Sequence, residues 1–435
     1  MGIQINGQND EIRAVDGSGT VHLDVEGNIT GNLTGNANTA TTATTADNAL
    51  GITTTQINVG DTFLKLNSIG IGQTDSTGRN AGVSTAIGTV IYNETDEEVQ
   101  VYKGDDLGWQ NIGSSALKAT GGVVNEFSDG SGSYRSHTFF TSGTFEIQTG
   151  EKGLNLEFLV VGGGGGGGDN WSPGAGGRGG GGAGGLRSNM SSVPYAMPSN
   201  VWQNDGNPAS YTVTVGAGGG GNQEQNGYPG NGSSIVGVGN PINIVASGGG
   251  GGAHYPSNAG SGGSGGGSAY YASPGREEGA TLTSPDSVSP TQQGYRGGRT
   301  PDGGGGGGGA GAQGVDGPVS NGGSNGGVGL QVIIAGPDAQ FPLGSGGGYF
   351  AGGGGGGGGY PSGSVNNGGL GGTGGGGHGS AADTDRSKAR DGVTSTGGGG
   401  GGAANSSQYS SLPSGPGLGS GGSGGSGVVI ISYPT

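Results

Sequence analysis

Uninterrupted glycine runs, seven residues at 162–168, seven at 303–309 and eight at 352–359, limit what this chain can fold into more than any other feature. A run without side chains offers no apolar stripe to a helix and no alternating face to a strand, so its order has to come from the backbone. Glycine-rich sequence without a fixed period is by default disordered, and the lack of a sustained Gly-X-Y register excludes collagen. Placement argues against disorder. Leu156–Val161 leads into the first run, Tyr211–Val215 into Gly218–Gly221, and Ile242–Ala246 into Gly248–Gly252; Val332–Ile334 is a further apolar stop and the chain closes on Val428–Tyr433. A left-handed threefold helix suits the runs. It leaves every N–H and C=O pointing outward, and glycine lets neighbouring backbones approach closely enough to pair them. One such helix alone does not repay the entropy of ordering it, so a packed bundle framed by strands is expected.

Composition supports the same reading. Glycine supplies 120 of 435 residues and hydrophobic residues 28%, well short of the share that builds a large apolar core. A net charge of -16 is the wrong sign for a nucleic-acid partner. Cysteine is absent, which removes disulfides, thiolate metal sites and cysteine catalysis. The opening residues show neither a basic nor an apolar signal region, and no long apolar stretch occurs, so neither a membrane span nor a secretion signal is expected. His22, His137, His254 and His378 are too scattered for a metal site, and Asp383 and Asp385 lack the rest of a calcium loop. No glycine run is followed by Lys-Ser or Lys-Thr, so there is no phosphate loop. The expectation is a protein with no cofactor, no metal and no enzymatic activity.

Composition changes at Val161. Ahead of it, Gly-Asn-Ile-Thr, Gly-Asn-Leu-Thr and Gly-Asn-Ala-Asn repeat over 27–38, and alanine then recurs at Ala37, Ala40, Ala43, Ala46 and Ala49. A period of three drifts around an α-helix, so either an extended strand shared among copies, with alanine on a common axis, or a flexible linker is expected. Residues 86–112 alternate apolar and polar around acidic turns and predict a small β-meander with strands Thr89–Tyr92 and Val99–Tyr102 and a short return at Trp109. The paired carboxylates Glu97 with Glu98 and Asp105 with Asp106 are expected to be solvated turn residues rather than acid/base pairs. The predicted organisation is an attachment and repeat region at 1–50, a β module at 51–113, a linker at 114–136 and a glycine-rich domain at 137–435. The fold class is mostly β and irregular, with strands framing a bundle of polyglycine II helices.

The stretches His137–Ile147, Leu156–Gly165, Tyr211–Gly219 and Gly427–Tyr433 resemble the glycine-rich domain of tailed-phage fibre proteins, over about 137–435. The repeat at 31–41 and Gly88–Asn93 through Val99–Tyr102 are similar to short trimeric fibre modules of cyanophages. The runs also resemble, in style and not in alignment, the polyglycine tip adhesins of T-even-type phages, whose loops contact the host receptor. The resemblance implies a tail fibre or fibre-tip adhesin of the virion, made in the host cytoplasm and released by lysis. Its implied partners are further copies of itself in a homotrimer, other tail or baseplate proteins, and a host surface protein or glycan.

Aromatic residues between the runs are the candidate receptor contacts: Trp171, Tyr195, Trp202, Tyr255, Tyr270, Tyr271, Tyr295, Tyr349, Phe350, Tyr360 and Tyr409, with Arg276 beside them. Tyr and Trp give rigid amphipathic contact area, and loops on a stiff scaffold are where binding concentrates. Ala269–Pro301 reads as the longest such loop. For any single aromatic, capping the glycine core is favoured over receptor contact, whereas the set as a whole favours recognition. Two alternatives stay open, an architectural fibre or decoration protein without a receptor role and an ice-binding polyglycine protein. The irregular loops argue against the latter, because ice binding wants a flat, regular face.

Overall fold

The computed structural model describes residues 3–6, 11–14 and 72–435, except 83–85, 96–97, 106–107, 113–116, 129–131, 151–152, 170–175, 206, 222–224, 240–241, 271–278, 284–285, 287, 318–321, 337–346, 360–366, 382–387 and 405–419. The chain divides into two units, Met1–Gly70 and Ile71–Thr435. In the first, β1 (Ile3–Asn6) pairs antiparallel with β2 (Glu11–Ala14). The four-residue repeat and the period-three alanines lie outside the described residues.

The second unit opens with β3 (Gln73–Thr74), α1 (Ser76–Gly82), β4 (Val90–Asn93), β5 (Glu98–Tyr102) and β6 (Trp109–Asn111), in sheet order β3-β4-β5-β6. The last three strands are the meander expected from the alternation. The short helix α1 was not legible; the carboxylate of Asp75 caps it by accepting from the Gly78 amide at 2.6 Å.

Next come β7 (Lys118–Thr120), β8 (Val123–Ser128), β9 (Ser133–Phe139), β10 (Gly143–Thr149), β11 (Glu157–Val161), β12 (Leu186–Ser188), β13 (Ala209–Thr214), β14 (Ser233–Gly237) and β15 (Asn243–Ala246). After them β16 (Leu330–Gln331) pairs with β17 (Tyr349–Phe350), and β18 (Val428–Pro434) closes the chain. Two five-stranded antiparallel sheets result, β15-β14-β13-β10-β7 and β12-β11-β18-β9-β8. The stretch read as a linker, 114–136, instead supplies β7 and β8, because its own alternation is completed only by pairing with β10 and β9.

Between the sheets lies a core of Phe145, Ile147, Phe158, Val160, Tyr211, Val213, Ile235, Ile244, Val429, Ile431 and Tyr433. The second sheet is also covered on its other face: Leu159, Val161, Leu186, Val428 and Ile430 pack on Val332, Ile334, Phe350, Ala183 and Ala310. Burial on both faces explains why β11 and β18 read as unbroken apolar runs rather than alternating ones. Edge strand β15 is covered as well. Asp286 accepts from the Val245 amide at 3.0 Å and forms a fully buried ion pair with Arg187 of β12, 3.0 Å apart.

Beyond the strands the glycine runs form a lattice. The amides of Gly162, Gly165 and Gly168 donate to the carbonyls of Gly185, Gly182 and Gly179; those of Gly163 and Gly166 to Asn231 and Tyr228; those of Gly164 and Gly167 to Gly425 and Gly422. Every third residue reaches the same neighbour, which is the signature of a threefold helix with no internal bonds, and all three acceptor segments run antiparallel. On the carbonyl side the partners run parallel: Gly249 and Gly252 donate to Gly163 and Gly166, and Gly400 and Ala403 to Gly165 and Gly168. Gly352, Gly355 and Gly358 repeat the step against Gly374, Gly377 and Ser380.

Close approach, not φ, demands glycine here. None of Gly162–Gly168 lies at positive φ, yet a Cβ on Gly163, Gly165 or Gly166 would sit 2.1–2.2 Å from the carbonyl oxygen of Ala217, Gly250 or Gly220. Alanine survives where a helix meets the apolar floor, as at Ala183 and Ala310.

Candidate functional site

The register of the lattice gives it two distinct ends. At one end Gly162 donates to Gly185, Gly185 to Ser247 and Gly427 to Gly216. These residues adjoin β11, β12, β15, β18 and β13, so every framing strand enters or leaves at this end. At the other end Gly168 donates to Gly179, Gly179 to Ala253, Ala253 to Gly267, Ala403 to Gly168, Gly304 to Gly357 and Gly358 to Ser380. From this far end the chain departs into 170–175, 271–278, 360–366, 382–387 and 405–419, the segments that carry Trp171, Tyr271, Arg276, Tyr360 and Tyr409. These five candidates lie outside the described residues, but the lattice residues that bracket them are gathered at one end.

The remaining candidates separate by end. Trp202 is fully buried between the sheets, 4.8 Å from the Tyr211 ring centroid. Tyr195 and Phe350 are buried in the floor beneath the second sheet, where the Tyr195 hydroxyl donates to Ala310 O at 2.8 Å and burial pushes its pKa upward. Tyr295 packs against the same cluster, and Tyr349 is half-buried in β17 beside it. Tyr195, Trp202 and Phe350 are corrections: their rings fill the apolar layers that hold the strand end, where an aromatic buries the most area, and they present no surface to a partner, whereas Tyr295 and Tyr349 keep part of theirs exposed. Only Tyr255 and Tyr270 sit at the far end, both half-buried. A Cβ on Gly176 would lie 2.4 Å from the Tyr270 ring, so that ring caps a glycine. Ala269–Pro301 is also corrected. It is not one loop, because Gly265 and Ser268 donate to Tyr295 and Gly298, which places 295–298 inside the lattice.

A polar cluster that the sequence reading passed over secures the far end. Arg178, the one charged residue within the run 176–185, is buried; its Nε donates to Asp169 O at 3.0 Å and a terminal nitrogen to Gly176 O at 2.8 Å. Burial pulls its pKa down to about 10, against the opposing charge of Asp169. His254 Nδ1 lies 2.7 Å from the same Asp169 carbonyl, and its amide donates to Asn226 Oδ1 at 2.7 Å. The cluster therefore ties Asp169, Gly176, Asn226 and His254 together. The isolated arginine in a glycine run was the available signal.

With this geometry of strand-framed glycine helices, a family model for a glycine-rich domain matches residues 140–434. The chain belongs to the glycine-rich domain family. No curated protein matches it. The matched span starts within the sandwich, so the glycine-rich domain comprises the strands after β9 as well as the lattice they frame.

Proposed function

We propose that this glycine-rich domain protein is a virion fibre or fibre-tip adhesin that binds a host surface through the segments at the far end of its lattice. The observation that carries the reading is the sorting of the chain by end: strands and apolar floor at one, the ends bracketing five aromatic or cationic candidates at the other. A binding surface assembled from several segments needs such a rigid common base, since ordering each one separately on binding would cost affinity. The fibre context rests on the resemblance of the strand-and-glycine stretches to phage fibre domains. It brings with it further copies of the chain and other tail or baseplate proteins as partners, and a virion location. No catalytic role is included in the proposal.

The test is binding of the purified chain to host cells or arrayed surface glycans, compared with a variant in which 271–278 and 405–419 are replaced by Gly-Ser sequence of equal length. The variant is expected to keep its thermal midpoint and lose binding. Unchanged binding by the variant overturns the reading.

A further inference from the structure

Four asparagine–glycine junctions lie wholly within the described residues, at 226–227, 231–232, 325–326 and 367–368. Such a pair can react with itself, since the glycine amide nitrogen, with no Cβ beside it, can reach the asparagine Cγ. Packing decides whether it does. The Asn226 side chain is held at both ends, its nitrogen donating to Asn258 O at 2.6 Å and its oxygen accepting from the His254 amide at 2.7 Å. Gly227 N donates to Gly252 O at 3.0 Å. Asn325 Oδ1 accepts from the Leu370 amide at 2.8 Å, and Gly326 N donates to Leu370 O at 2.9 Å. At the other two junctions Asn231 and Asn367 are exposed, and neither their side chains nor the amides of Gly232 and Gly368 have a hydrogen-bond partner among the described residues.

The threefold helix explains the division. Along 227–232, Gly227 and Gly230 donate to Gly252 and Gly249 on one side, and Tyr228 and Asn231 donate to Gly220 and Ala217 on a second. The third side falls to Pro229, which has no N–H to satisfy, and to Gly232. Along 368–372, Gly369 and Gly372 donate to Gly356 and Gly353; on the open side Gly371 donates to His378 Nδ1 at 3.0 Å, which leaves Gly368. We infer that Asn231 and Asn367 are sites of spontaneous deamidation, while Asn226 and Asn325 are protected by their lattice bonds. In the reaction the glycine nitrogen loses its proton and bonds to the asparagine Cγ, the side-chain nitrogen leaves as ammonia, and a succinimide ring closes. Water then opens the ring at either carbonyl, giving aspartate or isoaspartate and adding a negative charge. Closure turns the peptide group that follows the asparagine. At Asn231 and Asn367 this releases the amide of Gly163 or Gly323, whereas at Asn226 it also breaks both side-chain bonds and the Gly227 bond. In isoaspartate the main chain runs through Cβ and Cγ. The carbonyl of residue 231, which accepts from Gly163 at 2.9 Å, then belongs to a pendant carboxylate, so this product loosens the lattice beside β14.

Peptide mapping by mass spectrometry of the full-length chain, aged in warm, mildly alkaline buffer, reads conversion at all four junctions. Asn231 and Asn367 should convert about tenfold or more faster than Asn226 and Asn325, which react only in molecules whose bonds have opened. In denaturant the four rates should draw together, because no lattice bond then separates them. Similar rates at the four junctions of the folded chain overturn the inference, as does a folded chain in which Asn231 and Asn367 stay intact while the denatured chain converts. Amide exchange reads the structural consequence. Chain converted to isoaspartate at 231 should lose protection at Gly163, whereas Asn231→Asp, with the same added charge and an unaltered main chain, should keep it. Equal protection at Gly163 in the two overturns the loosening and leaves the site standing.

Discussion

Two glycines in neighbouring helices show what each residue contributes. A Cβ on Gly166 would meet the Gly220 carbonyl oxygen at 2.2 Å, whereas one on Gly220 would have only a Tyr228 ring carbon, 3.8 Å away. Gly166→Ala is therefore expected to cost about 3 kcal/mol or more, at or beyond the usual range for overpacking, because a shifted backbone must break several bonds at once. Gly220→Ala should change stability by well under 1 kcal/mol, or raise it slightly by stiffening the unfolded chain. Denaturant melts of the two variants check the contrast, and equal effects would count against close approach as the reason for glycine. His137 makes a second case. It is buried, Nδ1 lies 2.6 Å from Gly121 O and Nε2 2.9 Å from the Tyr433 hydroxyl, an arrangement that suits the neutral ring donating from Nδ1 and accepting at Nε2. Burial holds its pKa below the ordinary value. The unfolded chain thus binds the proton first, at about pH 6.5. The stability contribution is complete above that pH and is lost as pH falls from there through the folded pKa. His137→Gln should flatten this part of the profile of stability against pH, and a profile identical to wild type would show that His137 is not its source.

For a threefold helix with every N–H bonded outward, protection should follow the lattice rather than apolar burial. Amides in Gly163–Gly168 and Gly352–Gly358 should exchange slowly even though they have no side chains to shield them, since opening one requires separating it from its neighbours. Fast exchange in both runs would contradict the register. The strand end depends on a different kind of element contact. Arg187 of β12 binds Asp286 with both side chains fully buried, and its guanidinium also donates to Val288 O at 2.8 Å and to the Pro290 carbonyl. Arg187→Met leaves a buried carboxylate without its cation, and a loss of about 3–5 kcal/mol is expected in thermal or denaturant unfolding. A loss below about 1 kcal/mol would mean that Asp286 finds water instead.

At the scale of the molecule, stability and recognition should separate even within the far end. Tyr270→Ala uncovers Gly176 at the lattice edge and is expected to lower the melting temperature. Replacing Tyr271 and Arg276 should leave melting unchanged and reduce surface binding by roughly 1–4 kcal/mol, the range for anchors at an interface. Loss of binding from Tyr270→Ala alone at full stability would reverse these assignments.

The amino-acid sequence by itself determined the local conformations. The alternation in 89–102 specified the meander, the apolar runs before and after glycine specified β11, β15 and β18, and unbroken glycine specified outward-facing backbone, because each of these follows from a period of a few residues. It did not determine β7, β8, β12 or β14, whose short stretches become strands only when a partner completes their hydrogen bonds. Nor did it separate the aromatics. Trp202, Tyr195 and Phe350 look no different in sequence from Tyr255 or Tyr270, and their burial depends on which end of the lattice the chain has reached when it turns. That end is set by how many threefold steps each run takes against neighbours up to more than two hundred residues away, as with Gly164 and Gly425, so only the tertiary structure decided which turns face the strands and which face outward.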